Sequence, residues 1–244
     1  MTLTVTSTIG EIVQQLPSSI RVFEDLGIDY CCGGGKSIAQ ASHKAGVPLE
    51  LLLERLGELS EQVPELDFTP WQRTSLASLA RHIVEIHHAF VRKEVPRLNA
   101  LLQKVQAKHR AIRPELTAMM LSFAFVGQDM LNHMQKEEQV LFPYIERLEQ
   151  ASLSGALLPV AAFGSVARPV ECMMRDHERT GQAMQQIRQL SNGFTLPESA
   201  CLSYRALYDG LKDFEQDLHR HVHLENNILF PRAIELEAKA CRPA

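Results

Sequence analysis

The amino-acid sequence predicts an all-α protein, with a small N-terminal helical domain followed by an up-down-up-down four-helix bundle. Four long stretches repeat apolar residues at helical spacing, and the breaks between them are short and contain proline, glycine or asparagine. No stretch alternates apolar and polar residues between turns, as a strand would. The chain has 244 residues, 45% of them hydrophobic, so it can bury a sizeable core.

The elements follow in order along the chain. Residues 1–63 contain short helical segments interrupted by proline and glycine, and residues 64–73, which begin PELDFTPW, are predicted to be a linker. The bundle is predicted over residues 74–240, because four amphipathic helices with short connections pack as antiparallel neighbours. Its helices are expected at roughly 74–107, 114–149, 166–191 and 198–238.

Charge and cysteine usage exclude several classes of protein. The net charge is −4 with no basic block, which argues against nucleic acid as a partner. No run of 18 apolar residues predicts a membrane span, and the first residues do not resemble a signal peptide. Five cysteines, three of them scattered (Cys172, Cys201 and Cys241), are not a disulfide framework. We therefore expect a cytoplasmic protein; a homo-oligomer is possible, but no surface stripe identifies an interface.

An internal repeat relates the two halves of the predicted bundle. The strings HMQKEEQVLFP (133–143) and HVHLENNILFP (221–231) both read His, three residues, Glu, then Leu-Phe-Pro. His88 precedes the first string by 45 residues, and His177 precedes the second by 44. Each helical hairpin should therefore contribute one histidine from its first helix and a His/Glu pair from its second.

These polar side chains lie on helix faces that must point into the core. In His-x3-Glu both side chains project from one face, which in the second helix also carries Met130, Val140 and Tyr144. Burying such groups without partners would cost roughly several kcal/mol per charge, and metal cations would remove that cost. Two carboxylates can bridge two metals while four imidazoles complete the shells, and nitrogen and oxygen ligands without thiolate suit iron or manganese better than zinc. The predicted metal ligands are His88, His133, Glu137, His177, His221 and Glu225.

Other interpretations of these residues remain open. Single polar residues on apolar faces are commonly satisfied core groups, but six of them in two matching copies favour a metal site. His87 is the alternative to His88, although the face of His87 turns polar. His219 and His223 point away from the face of His221 and are expected to be solvated or to support the ligands from behind. Asp129 and Asp176 are expected at solvated helix positions, with a supporting role beside the ligands as the alternative.

The string DYCCGGGKS (29–37) contains adjacent cysteines, Cys31 and Cys32. Adjacent cysteines do not form an unstrained bridge with each other, and the spacing is not that of a Cys-x-x-Cys metal knuckle. We expect the glycines to give an exposed, mobile backbone and Ser37 to cap the next helix, with Lys36 and the helix N-terminus favouring thiolate. Reactive or metal-handling thiols are the functional interpretation, and two small buried residues at a tight turn are the structural one.

The DYCCGG string, followed by HMQKEEQVLFP and HVHLENNILFP, resembles the RIC (repair of iron centres) family of iron-sulfur cluster repair di-iron proteins. The resemblance covers essentially the whole chain, apart from one extra glycine after the cysteines. It implies an ScdA-type N-terminal domain and a hemerythrin-like bundle with two non-haem irons, bridged by Glu137 and Glu225 and by an oxo or hydroxo group. The family's cysteines correspond to Cys31 and Cys32, and its partners would be iron-sulfur client proteins.

Three functions follow from this resemblance and from the predicted site. The first is repair of iron-sulfur clusters after nitrosative or oxidative stress, by iron donation rather than by enzymatic turnover, with the two cysteines assisting transfer. The second is binding or reduction of nitric oxide, since six protein ligands leave open positions on two irons. The third is dioxygen binding, which four histidines favour less than the five of oxygen carriers.

Overall fold

The computed structural model describes residues 4, 6–59, 69–198 and 200–240, and its regular structure is helical, which confirms the predicted all-α class. Four short helices come first. They are α1 (Ile9–Gln15), α2 (Ser19–Asp25), α3 (Ile38–Ala45) and α4 (Leu49–Glu58). The predicted linker 64–73 lies partly outside the described residues, and its last part forms a short helix, α5 (Thr69–Arg73).

Four long helical rods form the bundle, and they agree with the predicted stretches to within a few residues. Three of the rods contain a π-helical turn. The first rod consists of α6 (Leu76–His82), a π-turn (Ile83–His88) and α7 (Ala89–His109), and the second of α8 (Glu115–Lys136), a π-turn (Glu137–Leu141) and α9 (Phe142–Ser154). The third rod is α10 (Ala167–Leu190). The fourth consists of α11 (Leu202–Leu224), a π-turn (Glu225–Leu229) and α12 (Phe230–Ala240). Helix α8 packs on α7 and α10, and α11 packs on α7.

The π-turns of the second and fourth rods begin at the two repeated glutamates. The amides of Phe142 and Phe230 donate to the carbonyls five residues back, those of Glu137 and Glu225. One extra residue in a turn shifts all following positions by about 100° around the axis. The expectation that Val140 faces the core is wrong: Val140 is 49% exposed and Leu141 is buried, whereas Ile228, the equivalent residue in the π-turn of the fourth rod, is 2% exposed.

Local capping explains why the N-terminal helices form where they do. Thr8 and Ser37 each cap a helix with a reciprocal capping box, Thr8 with Glu11 and Ser37 with Gln40, so the predicted cap at Ser37 is confirmed. Backbone hydrogen bonds from Gly10 to Gly34 and from Ile9 to Lys36, at 2.8 and 3.0 Å, join the glycine run to the start of α1. The apolar faces of these helices and of the bundle share a continuous core.

The N-terminal helices dock on the bundle at the π-turn of the fourth rod. Gln14 donates to the carbonyl of Asn227 at 2.8 Å, and the Asn227 amide donates to the carbonyls of Tyr30 and Cys31, at 3.4 Å each. The buried ring of Tyr30 packs edge-on against His219, with centroids 5.6 Å apart. Within the described residues, none of the helices combines the length and apolar character needed to cross a bilayer.

Candidate metal centre

The six side chains predicted as ligands converge in the middle of the bundle and form two groups that share both glutamates. In the first group, Nε2 of His88 lies 3.2 Å from Nε2 of His221. Glu137 places Oε2 3.4 Å from Nε2 of His88, and Glu225 places Oε1 2.9 Å from Nε2 of His221. We call this group the His88/His221 cluster.

The second group is the His133/His177 cluster, and its geometry mirrors the first. The two Nε2 atoms lie 2.9 Å apart. Oε1 of Glu137 is 3.2 Å from Nε2 of His133, and Oε2 of Glu225 is 3.1 Å from Nε2 of His177. Each glutamate therefore has one carboxylate oxygen in each cluster.

Burial and hydrogen bonding test whether these residues suit metal ions. All six side chains are at most 1% exposed. Both oxygens of Glu137 and Oε2 of Glu225 have no hydrogen-bond partner among the described residues, which a satisfied core group would have. The separations of about 3 Å are those of neighbouring ligands on one metal about 2.1 Å away. Nitrogen and carboxylate donors without thiolate fit iron or manganese.

The charges of the two clusters compensate one another. Burial lowers the pKa of His88, but the nearby carboxylates of Glu137 and Glu225 outweigh it and raise that pKa to about 9. Burial likewise opposes the charge of His133, yet Glu137 raises its pKa to about 10. Burial raises the pKa of Glu225, but His221 and the other imidazoles hold it well below its usual range. Cations would therefore compete with protons for these side chains.

A second layer of side chains holds the outer nitrogens of the imidazoles. Nδ1 of His88 pairs with Glu138 at 2.6 Å, and Nδ1 of His177 pairs with Asn226 at 2.9 Å. Glu138 and Asn226 occupy the same position in the two repeats, directly after the shared glutamates. Sequence reasoning missed both, although their matching positions in the repeat were a usable signal.

Asp176 also belongs to this layer. It is 5% exposed and its Oδ2 lies 3.7 Å from Nδ1 of His133, so the expectation of a solvated position is wrong. Asp129 is largely shielded as well, where it accepts hydrogen bonds from Arg179 and Thr180.

The Leu-Phe-Pro element of each repeat closes the site. The ring of Phe142 stacks on His88 with centroids 5.9 Å apart, and the ring of Phe230 stacks on His177 at 6.2 Å. Both phenylalanines are buried, so each first-helix histidine is covered by an apolar ring from the partner helix of its own hairpin.

The remaining histidines lie outside the clusters. His87 is buried, pairs with Asp217 at 2.9 Å and stacks on His221, while His88 points into the site. His223 is buried, packs against Tyr30 and pairs with Asn227, so the expectation of a solvated position is wrong for this residue. His219 and His223 instead form part of the surface on which Tyr30 docks.

The cysteine loop differs from its expected character. Gly33 and Gly34 are buried, and only Gly35 of the run is exposed. The thiol of Cys31 lies 3.3 Å from the Asp29 carboxylate and 3.9 Å from the Cys32 sulfur. The Cys32 thiol, then burial and the Asp29 carboxylate, raise the pKa of Cys31 well above its usual value, so the expected stabilisation of thiolate by Lys36 does not hold there.

Asp29 is a further candidate that sequence reasoning missed. Its Oδ1 accepts from the backbone amides of Cys31 and Cys32, at 3.2 and 2.9 Å. These three side chains form a third group whose ligand atoms could meet at one metal ion. The loop borders a cavity of about 330 Å³ between the N-terminal helices and α10, and Lys36 and Glu178 also line this cavity.

Comparisons with known proteins agree with this architecture. Residues 79–233 match the hemerythrin HHE cation binding domain, and residues 5–60 match ScdA_N, a domain of unknown function (DUF542). The chain is 32% identical over 230 residues to the iron-sulfur cluster repair protein YtfE of Dickeya chrysanthemi, covering 94% of this chain and 97% of that protein. It is 31% identical over 237 residues to YtfE of Yersinia pseudotuberculosis and 32% identical over 232 residues to that of Pectobacterium atrosepticum, with the same coverage.

The helical bundle and its paired His/Glu clusters define a hemerythrin-type cation-binding protein, with a site for two metal ions. Together with the N-terminal match and the nearly full-length similarity, this shows that the chain belongs to the family of the iron-sulfur cluster repair proteins YtfE. The resemblance inferred from DYCCGG and the two repeat motifs is thereby confirmed.

Proposed function

We propose that the two clusters hold a di-iron centre bridged by Glu137 and Glu225, and that the protein donates iron to iron-sulfur clusters damaged by nitrosative or oxidative stress. One observation carries this proposal: both glutamates place one buried oxygen in each cluster. The remaining ligands would be His88, His133, His177 and His221. The relatives that match 94% of this chain are named as cluster repair proteins, which favours iron as the metal.

In this function iron is the cargo, and the residues around it hold and release it. The glutamates would supply two negative charges against the positive charge of the ions, and the imidazoles would bind through Nε2. Glu138 and Asn226 would fix the ring orientations of His88 and His177 through their Nδ1 atoms. The rings of Phe142 and Phe230 would exclude water from the site.

We further propose that Cys31 and Cys32 assist transfer as thiols, with Asp29 beside them. The three groups are close enough to bind one metal ion together, and a cavity gives access to the loop. Burial of Cys31 leaves half-buried Cys32 as the thiol more accessible to a client.

The partners in this proposal are iron-sulfur client proteins in the cytoplasm. Cys31, Cys32, Cys172 and Cys201 are all free thiols, which suits a reducing compartment. The proposed division of labour assigns iron storage to the bundle (74–240) and thiol chemistry to the N-terminal part (1–63).

Restoration of a damaged cluster tests this function. Protein purified without oxygen should contain two irons per chain and should restore activity to an aconitase-type enzyme inactivated by nitric oxide, whereas the metal-free protein should not. Recovery that is equal with loaded and metal-free protein would contradict iron donation. A Cys31→Ser/Cys32→Ser variant that restores as much activity as the parent would remove the thiols from the proposal.

Nitric-oxide binding or reduction is the second candidate, because the coordination is incomplete. Each cluster offers two imidazole nitrogens and two carboxylate oxygens, and non-haem iron sites with open positions bind small molecules there. Production of nitrous oxide over many turnovers by reduced, iron-loaded protein would favour this candidate over donation. Absence of any nitric-oxide uptake would exclude it.

A further inference from the structure

The two clusters lie at equivalent positions of the repeat, so their surroundings can be compared residue by residue. His88 corresponds to His177, His133 to His221 and Glu137 to Glu225. Glu138 and Asn226, which hold His88 and His177, also correspond. These four pairs serve the same purpose in both halves, and a fifth pair does not.

The difference lies at the residue before the first-helix histidine. In the second half this residue is Asp176, whose carboxylate is 3.7 Å from Nδ1 of His133 and is held by Lys136 and Arg179 at 2.8 Å each. In the first half it is His87, which stacks parallel to the ring of His221 with centroids 5.5 Å apart and is already paired with Asp217.

His221 therefore has no carboxylate behind its outer nitrogen. Among the residues that the structure describes, neither Nδ1 of His221 nor Nδ1 of His133 has a hydrogen-bond partner, but Nδ1 of His133 has the Asp176 carboxylate 3.7 Å away. A carboxylate beside the outer nitrogen of a ligating histidine makes the ring a stronger donor and fixes its orientation, and losing such a group typically lowers metal affinity about 10–100-fold. Each cluster has one such carboxylate: Glu138 lies 2.6 Å from Nδ1 of His88, and Asp176 lies 3.7 Å from Nδ1 of His133. They differ in shielding, because the side chain of Glu138 is 27% exposed and that of Asp176 is 6% exposed.

The two clusters also differ in what covers them. Glu138, the partner of His88, has a side chain that is 27% exposed and lines a surface cleft of about 320 Å³. Asn226, the partner of His177, is 9% exposed and lies under the N-terminal helices, where its amide approaches the carbonyl of Cys31 at 3.5 Å. Solvent and chelators thus reach the support of one cluster and not that of the other.

From these differences we infer that the two metal positions are unequal: the ion bound by His88 and His221 dissociates first, and the ion bound by His133 and His177 stays. This inference rests on the proposed di-iron function and specifies which iron is given away. Each donation would then remove one ion, and the second would keep the buried carboxylates of the bundle neutralised.

Release of iron to a chelator tests the inequality. Fully loaded protein, mixed with excess ferrous chelator without oxygen, should release its iron in two separate phases of one iron per chain each, one faster than the other. Glu138→Gln should accelerate the fast phase alone, and Asp176→Ala the slow phase alone. Glu171→Ala is the matched control for Asp176→Ala, because Glu171 lies on the same helix, α10, and its side chain is 72% exposed. This variant should change neither phase. Refilling the faster position with ⁵⁷Fe should give a single Mössbauer doublet.

Two equal phases in the parent protein, or acceleration of the fast phase by Asp176→Ala, would overturn the inference. Asp176→Asn, which keeps the size of the side chain, repeats the test if the alanine variant does not fold, with the same expected direction. Failure of cluster repair together with the expected phases would contradict iron donation and leave the unequal positions standing. Successful repair with equal phases would contradict the unequal positions and leave iron donation standing.

Discussion

The two copies of the His-x3-Glu repeat build the same site from the same residues but use the residues behind it differently. In the first copy, Glu138 supports His88 and also pairs with Arg92 at the surface. In the second copy, Asn226 supports His177, and Asn227 binds the backbone of the cysteine loop. A duplicated hairpin thus supplies symmetric ligands, while the supporting residue of the first copy is partly exposed and that of the second lies beside the cysteine loop.

Replacing a shared glutamate should have the largest effect, and it should be similar in both copies. Glu137→Ala or Glu225→Ala removes one oxygen from each cluster, so we expect iron content to fall from two per chain to one or fewer. Metal analysis of protein purified without oxygen measures this. Gln139→Ala, on an exposed position two residues after Glu137, is the control that should keep both irons. Full loading of either glutamate variant would exclude that residue as a ligand.

Metal removal should destabilise both halves of the bundle together. Without cations, Glu137 and Glu225 keep only their imidazole partners in a buried site. A ligand present at about a thousand times its dissociation constant stabilises a fold by about 4 kcal/mol, which corresponds to a melting temperature on the order of 10 °C higher. Calorimetry on metal-free and reloaded protein measures the difference. An unchanged melting temperature would show that the site does not depend on metal for its stability.

Helical periodicity predicted the bundle well because apolar faces repeat with the period of the helix, and the duplicated motif singled out six inward polar residues. The same periodicity held at Ile228 but failed at Val140, its equivalent in the first copy: both lie in a π-turn, yet only Val140 is exposed. Glu138 and Asn226 were missed because in an ideal helix the residue after a ligand points about 100° away from it. The burial of Gly34 depends on contacts with Asn227, far away in the sequence, which no local pattern contains.

The contacts between Asn227 and the cysteine loop predict that alanine substitutions at two adjacent glycines have different effects on stability. A methyl group at Gly34 would come within 2.5 Å of Oδ1 of Asn227 and 3.0 Å of the carbonyl of Tyr30, whereas one at Gly35 would meet nothing within 4 Å. Gly34→Ala should therefore lower the free energy of unfolding by about 1–3 kcal/mol, and Gly35→Ala by about 0.5 kcal/mol or less. Denaturant unfolding measures both variants. Equal effects would mean that the cysteine loop does not pack on Asn227 as described.

The smallest expected effect on stability is that of Asn227→Ala. It is compared with Gln139→Ala, because Gln139 occupies the same position in the first copy. Asn227→Ala removes hydrogen bonds to the carbonyls of Tyr30 and Cys31 and to Nδ1 of His223, and should cost about 1 kcal/mol. Gln139 is exposed, and its replacement by alanine should stay within about 0.5 kcal/mol. Hydrogen exchange should locate the loss in α1 and α3, with iron content unchanged, because Asn227 touches the cysteine loop and not the clusters. A loss of iron in Asn227→Ala would instead couple the docked loop to the metal site through the neighbouring Asn226.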